Sequence, residues 1–363
     1  MILYTIIILT ITVILFVNFA PVFGDSSKGA SKTIIENSPN FINGKFQNLV
    51  PTKMDFRKGE DYKSEYVANT DTNKRPKNPL PCVKFNKTNF ASKDDNSITW
   101  FGHSTILFKL KKRIIIVDPV FNNASPFSAI LGPTPFEYEN NICAKDLPDK
   151  IDVVLITHDH YDHLDYKTIK DIHTRVDKFL VPLGNKAHLL KWGVTDDKIE
   201  EFDWYDNFSY ENIDFTFTPT RHFSGRALRD RFATLWGGWI IKSESNNFYI
   251  SGDGGYFDEF KKIGEKYGPF DIVFIENGAY NPRWKNIHLF PEQGVQASLD
   301  VQAKVALPIH WGKFSLSTHS WSEPIERFVK EAEARNLTIA TPLIGQTFII
   351  DGDIPSEYWW ENL

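Results

Sequence analysis

The sequence predicts an α/β fold with a mixed sheet system and its polar loops gathered along one edge. Three observations carry that expectation. Continuous apolar runs, RIIIVD (113–118), IDVVLIT (151–157), DIVFIE (271–276) and KVALPIH (304–310), have strand length and apolar character on both faces, as in sheets covered on each side. Stretches with helical spacing fall between several of these runs. Polar clusters sit just past the strand ends, where a rigid scaffold presents functional loops.

Taken in order, residues 25–36 read as a linker and 37–95 as an irregular arm. The arm is rich in Asn, Lys, Ser, Asp and Pro, with turns at Asn78-Pro79 and Leu80-Pro81. From Ser97 the texture changes. Residues 97–110 read as a strand, a turn at Gly102-His103 and a second strand; 113–118 and 151–157 follow as buried strands. Helical spacing over 166–174 precedes a strand at 178–182 and a helix at 186–192. Residues 213–220 alternate like a half-buried strand, and 235–242 with 247–251 form a hairpin across 243–246. Buried strands at 271–276 and 304–310 flank a helix at 291–300, and a last strand pair, 337–340 and 347–351, closes a domain running over 96–363.

Composition narrows the function classes. The 363 residues are 42% hydrophobic, 24% charged and 14% aromatic, enough to build a large core, which excludes disordered, collagen-like and coiled-coil chains. A net charge of −5 argues against nucleic acid as the partner of a broad basic surface. Two cysteines, Cys82 and Cys143, are too few for a disulfide scaffold or a cysteine-built zinc site; in an exported chain they are available to pair.

The first 24 residues carry no charged side chain. Residues 2–19 are almost wholly apolar, and 18 helical residues extend about 27 Å, close to the thickness of a bilayer core. Two readings stay open for residues 1–24: a signal peptide with its cleavage site at Val22-Phe23-Gly24, or an uncleaved membrane anchor. Both predict a protein exported or membrane-anchored, in the cell envelope or a secretory compartment.

The chemistry concentrates in Thr157-His158-Asp159-His160-Tyr161-Asp162-His163, directly after the strand IDVVLI. Three of the chain's 10 histidines fall within six positions. Alternate residues project to the same side, so His158 and His160 can face one cation, and the next turn offers Asp162 and His163 to a second. Imidazole nitrogen and carboxylate oxygen suit Zn²⁺. Further ligands are available at later strand ends: His222 after IDFTFTPT, Asp253 within Ser251-Gly252-Asp253-Gly254-Gly255, and His310 after KVALPI.

At these residues, in the order HxHxDH…H…D…H, the chain resembles the metallo-β-lactamase superfamily of binuclear metallohydrolases over about 97–351. The resemblance implies an αββα sandwich with metals at one edge. It implies two Zn²⁺ ions: one held by His158, His160 and His222, the other by Asp162, His163 and His310. Asp253 and a water or hydroxide would bridge them. Finer features are similar to the N-acyl-phosphatidylethanolamine-hydrolysing phospholipase D group. They include Trp100-Phe101-Gly102-His103-Ser104-Thr105, Asp118-Pro119-Val120-Phe121, His222-Phe223-Ser224, Trp236-Gly237-Gly238-Trp239 and His288-Leu289-Phe290-Pro291-Glu292-Gln293. Gly254 departs from that group's commoner Thr.

That resemblance implies hydrolysis of a membrane phospholipid phosphodiester, to N-acylethanolamine and phosphatidic acid. It implies Tyr161 and His288 as substrate contacts, Asp162 and Asp253 as catalytic ligands, a membrane surface as partner and a homodimer. A same-fold hydrolase acting on a soluble lactone or cyclic phosphate is the alternative, and a di-iron centre on the same ligands is another. His103 reads as a brace beneath the metals, and His173, His188 and His319 as surface or packing residues.

Overall fold

The apolar runs pair into two sheets that face each other. The structure, a computed structural model, describes residues 2–53, 73–92, 96–127, 132–361 and 363. The chain begins with helices α1 (Ile2–Phe19) and α2 (Gly29–Asn37), a small hairpin of β1 (Phe41–Ile42) and β2 (Lys45–Phe46), and α3 (Lys87–Ser92). Then come β3 (Ser97–Trp100), β4 (Ile106–Leu110), β5 (Arg113–Val117), β6 (Ile151–Leu155), α4 (Tyr166–Ile172), β7 (Val176–Pro182), α5 (Lys186–Lys191) and β8 (Ile199–Phe202). The second half holds β9 (Asn207–Tyr210), β10 (Ile213–Thr218), β11 (Gly238–Lys242), β12 (Asn247–Ile250), α6 (Glu259–Tyr267) and β13 (Phe270–Glu276). It ends with α7 (Pro291–Asp300), β14 (Ala303–Ile309), α8 (Glu323–Ala334) and β15 (Thr347–Ile349).

One sheet has the order β15-β3-β4-β5-β6-β7-β8, the other β14-β13-β12-β11-β10-β9. Each is antiparallel along one half and parallel along the other, with β5 to β8 parallel in the first and β12 to β14 parallel in the second. The sheets meet through aromatic side chains. Phe108 of β4 lies 5.4 Å from Phe248 and 5.2 Å from Phe274, ring to ring, and Phe202 of β8 lies 5.1 Å from Trp239 of β11. Trp239 also donates its indole N–H to the Ile156 carbonyl across the interface, 2.9 Å away. Helix α7 packs against both α6 and α8 and lies on β13 and β14, while α5 packs by β8. The result is the αββα sandwich.

Several expectations need correction. Residues 25–36 are not a plain linker: α2 occupies most of that stretch and buries Ile35, and the arm's Phe46 is wholly buried in the core. Leu80 is not a turn residue, because its N–H and carbonyl pair with Glu137 and Glu139 across an isolated bridge to Tyr138. Residues 337–340 do not form a strand; Ile339 makes a single bridge to Ala306. Strands β8 and β9 and helices α6 and α8 carry no expectation from the sequence reading. Residues 54–72 and 93–95 of the arm lie outside the described residues.

Cys82 and Cys143 are both free, and burial pushes the Cys82 thiol up to about 11. In α1 the side chains at positions 2, 3, 9 and 18 are outside the description, and among the described residues no helix is long and apolar enough to cross a membrane.

Lys313 is buried beneath the site edge, its ammonium donating to Val120 O at 2.6 Å and Phe101 O at 3.2 Å. Burial pushes its pKa down to about 7, against the opposing pull of Asp165 and Cys82. Between about 7 and the ordinary lysine value of 10.5 the unfolded chain therefore holds a proton that the folded chain does not. Folding stability should rise with pH across that window, reach its full value above it and be lost as pH falls towards 7. Denaturant titrations at several pH values check this, and Lys313→Met should remove the slope. Phe108→Ala, which empties the space between the sheets, should cost about 3–5 kcal/mol in the same assay.

Candidate metal centre

Parallel pairing sends several strands to the same edge, and the polar clusters stand on that edge. β5 and β6 run in register with Val117 opposite Leu155, which sets Asp118 beside Thr157. Asp118 accepts the Thr157 N–H at 2.8 Å and the Thr157 hydroxyl at 2.6 Å, so the start of the histidine loop is tied to the neighbouring strand. In the other sheet β10, β12 and β14 end at Thr218, Ile250 and Ile309, just before His222, Asp253 and His310.

Two groups of ligand atoms result. His158 Nε2 lies 2.9 Å from His160 Nδ1, and His222 Nε2 lies 3.3 Å from that same nitrogen. Burial lowers the proton affinity of all three rings, and neighbouring imidazoles add to this at His158. These shifts favour the neutral ring, the form in which imidazole can bind a cation. In the second group, Asp162 Oδ2 is 3.6 Å from His163 Nε2 and 3.4 Å from His310 Nε2. Asp253 lies between the groups. Its Oδ1 is 3.3 Å from His163 Nε2; its Oδ2 is 3.0 Å from His310 Nε2 and 3.9 Å from both His158 and His222.

The donor set fits a pair of cations. His163 Nε2, His310 Nε2 and Asp253 Oδ1 are buried without a hydrogen-bond partner, although they crowd one another. Orphaned buried polar atoms are costly, and a cation coordinated by them removes that cost. The carboxylates already demand positive charge. Burial works against protonating His310, yet Asp253, Asp162 and Glu276 raise its pKa to about 10, and Asp253, Asp162 and Asp118 raise His163 likewise. Burial would raise Asp162 and Asp253 too, but His163 and its neighbours hold both well below the usual carboxylate range.

A surrounding layer orients these ligands. Asp118 Oδ2 is 2.7 Å from His163 Nδ1, which leaves Nε2 free to face inward. His222 Nδ1 donates to Ile287 O at 2.8 Å, and His158 Nδ1 lies 3.0 Å from Thr157 Oγ1. His103, whose pKa burial and His310 push down to about 3, holds Asp162 Oδ2 through Nε2 at 3.0 Å. It also lies ring over ring on His310, 4.0 Å between centroids.

All seven sequence-derived ligand positions thus converge on one edge, within hydrogen-bonding to coordination range. The two expected substrate contacts divide. His288 stands at the mouth, its Nδ1 2.8 Å from Glu276 Oε1 and 4.0 Å from Asp253 Oδ2; it does not cap α7, whose N-cap is Phe290. Tyr161 spends its hydroxyl on the Arg226 carbonyl, 2.5 Å away, with the Arg226 guanidinium 4.2 Å over its ring. Of the outlying histidines, His188 is a buried packing residue beside Asp159, while His319, stacked on Tyr280, and His173 are half-buried.

Sequence reasoning gave no role to Asp118 or Thr157, which it named only within motifs, and passed over Glu276. The signal was present: Asp118 ends RIIIVD and Glu276 ends DIVFIE, the same strand-end position that marked the ligands. Glu276 is wholly buried, its pKa raised chiefly by burial, and its second oxygen accepts the Leu289 N–H at 2.8 Å.

An αββα sandwich with two histidine–carboxylate groups sharing an aspartate at one edge defines a metal-dependent hydrolase fold. The chain belongs to the metallo-β-lactamase superfamily: the family described as Beta-lactamase superfamily domain matches residues 113–311, more than half of it. An uncharacterised protein of Mycobacterium bovis is 38% identical over 339 residues, covering 91% of this chain and 89% of its own length. N-acyl-phosphatidylethanolamine-hydrolyzing phospholipase D 1 of Caenorhabditis elegans is 35% identical over 270 residues, covering 70% of this chain and 75% of its own. Among solved structures, the diiron β-hydroxylase CmlA of Streptomyces venezuelae has a TM-score of 0.53 at 20% identity, covering 71% of this chain and 55% of its own; that likeness is one of fold.

Replacing Asp118 by Ala should weaken metal binding roughly 10–100-fold, because His163 loses the partner that sets its tautomer and direction. Competition with a chromogenic chelator measures this directly.

Proposed function

We propose that this chain is a zinc-dependent phosphodiesterase of the phospholipase D type, hydrolysing N-acyl-phosphatidylethanolamine to N-acylethanolamine and phosphatidic acid. The observation that carries the substrate is the 35% identity over 270 residues to the nematode protein of that name. The ligand geometry supports the reaction class. In the reaction, water adds to phosphorus, the bond from phosphorus to the ethanolamine oxygen breaks, and that oxygen takes the proton.

Bound at the two groups, divalent cations supply Lewis acidity, which neutralises phosphate charge and makes water nucleophilic at neutral pH. The chain's own residues do the rest. Asp253 would serve both positions, its Oδ2 lying 3.9 Å from His158 and His222 Nε2 in one group and 3.0 Å from His310 Nε2 in the other. Asp162, steadied by His103, keeps a fixed carboxylate beside the second group. His288, anchored through Nδ1 by Glu276, keeps its other ring nitrogen for a phosphate or acyl oxygen at the mouth.

Turnover and metal content measured on one purified sample test the proposal, with N-acyl-phosphatidylethanolamine in mixed micelles beside a soluble cyclic phosphodiester and a lactone. About two zinc ions per chain with release of N-acylethanolamine and phosphatidic acid is the expected result. Activity confined to a soluble substrate would sink the lipid assignment; a chain most active with iron would sink the zinc one. His160→Ala and Asp253→Ala should each lower turnover by several orders of magnitude, and near-wild-type turnover in either would rule this site out.

A further inference from the structure

The stretch that reads as a cleavage site, Val22-Phe23-Gly24, lies inside a segment built into the sandwich. Pro21 O accepts the Trp192 indole N–H at 2.7 Å. Val22 O accepts from Arg226, Nε at 3.2 Å and Nη2 at 3.0 Å. Gly24 O accepts from Lys191 Nζ at 2.6 Å, and the Asp25 N–H donates to His188 Nδ1 at 3.0 Å. Gly24 has φ +75°, and a Cβ there would stand 1.9 Å from His188 Nδ1, so only glycine lets the backbone pass.

Three of these partners, Trp192, Arg226 and His188, are buried and lead to the metal loop, while Lys191 is exposed. Arg226 is 4% exposed and Trp192 1%. The remaining Arg226 nitrogen, Nη1, donates to the carbonyls of Asp159 (2.5 Å) and Leu164 (2.7 Å), which flank His160, Asp162 and His163. One guanidinium therefore ties Val22 to the loop that carries four of the ligands. Asp159 is in turn held by the Gly225 N–H, the Thr234 hydroxyl and His188. Ahead of the segment, α1 leads in through Phe16, whose ring lies 5.4 Å from Phe23 and 6.1 Å from Phe127.

We propose that Pro21–Asp25 is a permanent strap of the catalytic domain, so that the mature chain keeps its apolar helix α1 as an attachment to a lipid bilayer, held close to the metal loop. Removal of residues 1–24 would leave the buried Trp192 indole and the Nε of Arg226 without acceptors, and would put an ammonium group against His188. A bilayer is the occupant because α1 presents Tyr4, Ile8 and Phe19 at 74%, 64% and 69% exposure, with no charged side chain in the first 24 residues. This inference does not depend on which substrate the site hydrolyses.

The test uses the full chain produced in membrane-bearing cells. Intact mass of the membrane fraction after a carbonate wash, and hydrogen exchange of peptides covering 20–28 in detergent, are the two readouts. The expected result is a chain that retains residues before Pro21, stays with the membrane and protects 20–28 to a degree comparable with the core strands. Trp192→Phe, which keeps an aromatic ring but loses the indole N–H together with the pyrrole part that carries it, should speed exchange of 20–28 roughly tenfold, with the strands unchanged. A mature chain beginning at or near Asp25, or one released into the aqueous wash, overturns the anchor. Unprotected exchange of 20–28, or no change in Trp192→Phe, overturns the strap.

Discussion

The buried carboxylate of Asp253, set between two groups of imidazoles, is the constraint on which the rest of this structure depends. A carboxylate removed from water is stable only beside positive charge. Here that charge has to come from protonated histidines or from cations, because the nearest basic atoms are His163 and His310 nitrogens that lack hydrogen-bond geometry to it. Cations satisfy every member of the cluster at once, whereas protons satisfy only some of them. The fold is arranged to keep these atoms together: one sheet contributes His158, His160, Asp162 and His163, the other His222, Asp253 and His310.

Holding so many donors at one edge requires stiffness behind them. The two sheets supply it by pinning their ends to each other. Thr157 is bound to Asp118 within the first sheet, the Gly237 N–H bonds to Thr157 O across to the second, and the His310 N–H bonds to His103 O. His310 itself sits at φ +68°, and the space for its carbonyl exists because Gly278 has no Cβ there. Backbone strain at a ligand position is sustained by packing around it rather than by local preference.

Much of the fold was legible in the sequence. The runs ending at Asp118, Thr157, Glu276 and His310 became β5, β6, β13 and β14 because covered strands are apolar on both faces. The histidine loop stood out because ligand spacing is a local pattern. The elements that escaped are those whose signal is weak or non-local. Strand β8 (IEEF) is short and half polar, α6 (EFKKIGEKY) is dominated by lysine and glutamate, and Ile339 bridges Ala306 where a strand was expected.

The sequence by itself determined the buried central strands, the strand-end placement of the candidate ligands and the chemistry of the donor set. Each of these is written in residues close together or repeated with a period. Only the tertiary structure decided how the two ligand groups share Asp253, that Asp118 and Glu276 orient His163 and His288, and that Tyr161 turns to Arg226. It also decided that residues 21–25 dock on Trp192, Arg226, Lys191 and His188. Those contacts join residues far apart in the chain, and their geometry depends on two sheets stacking in one register, which no local pattern encodes.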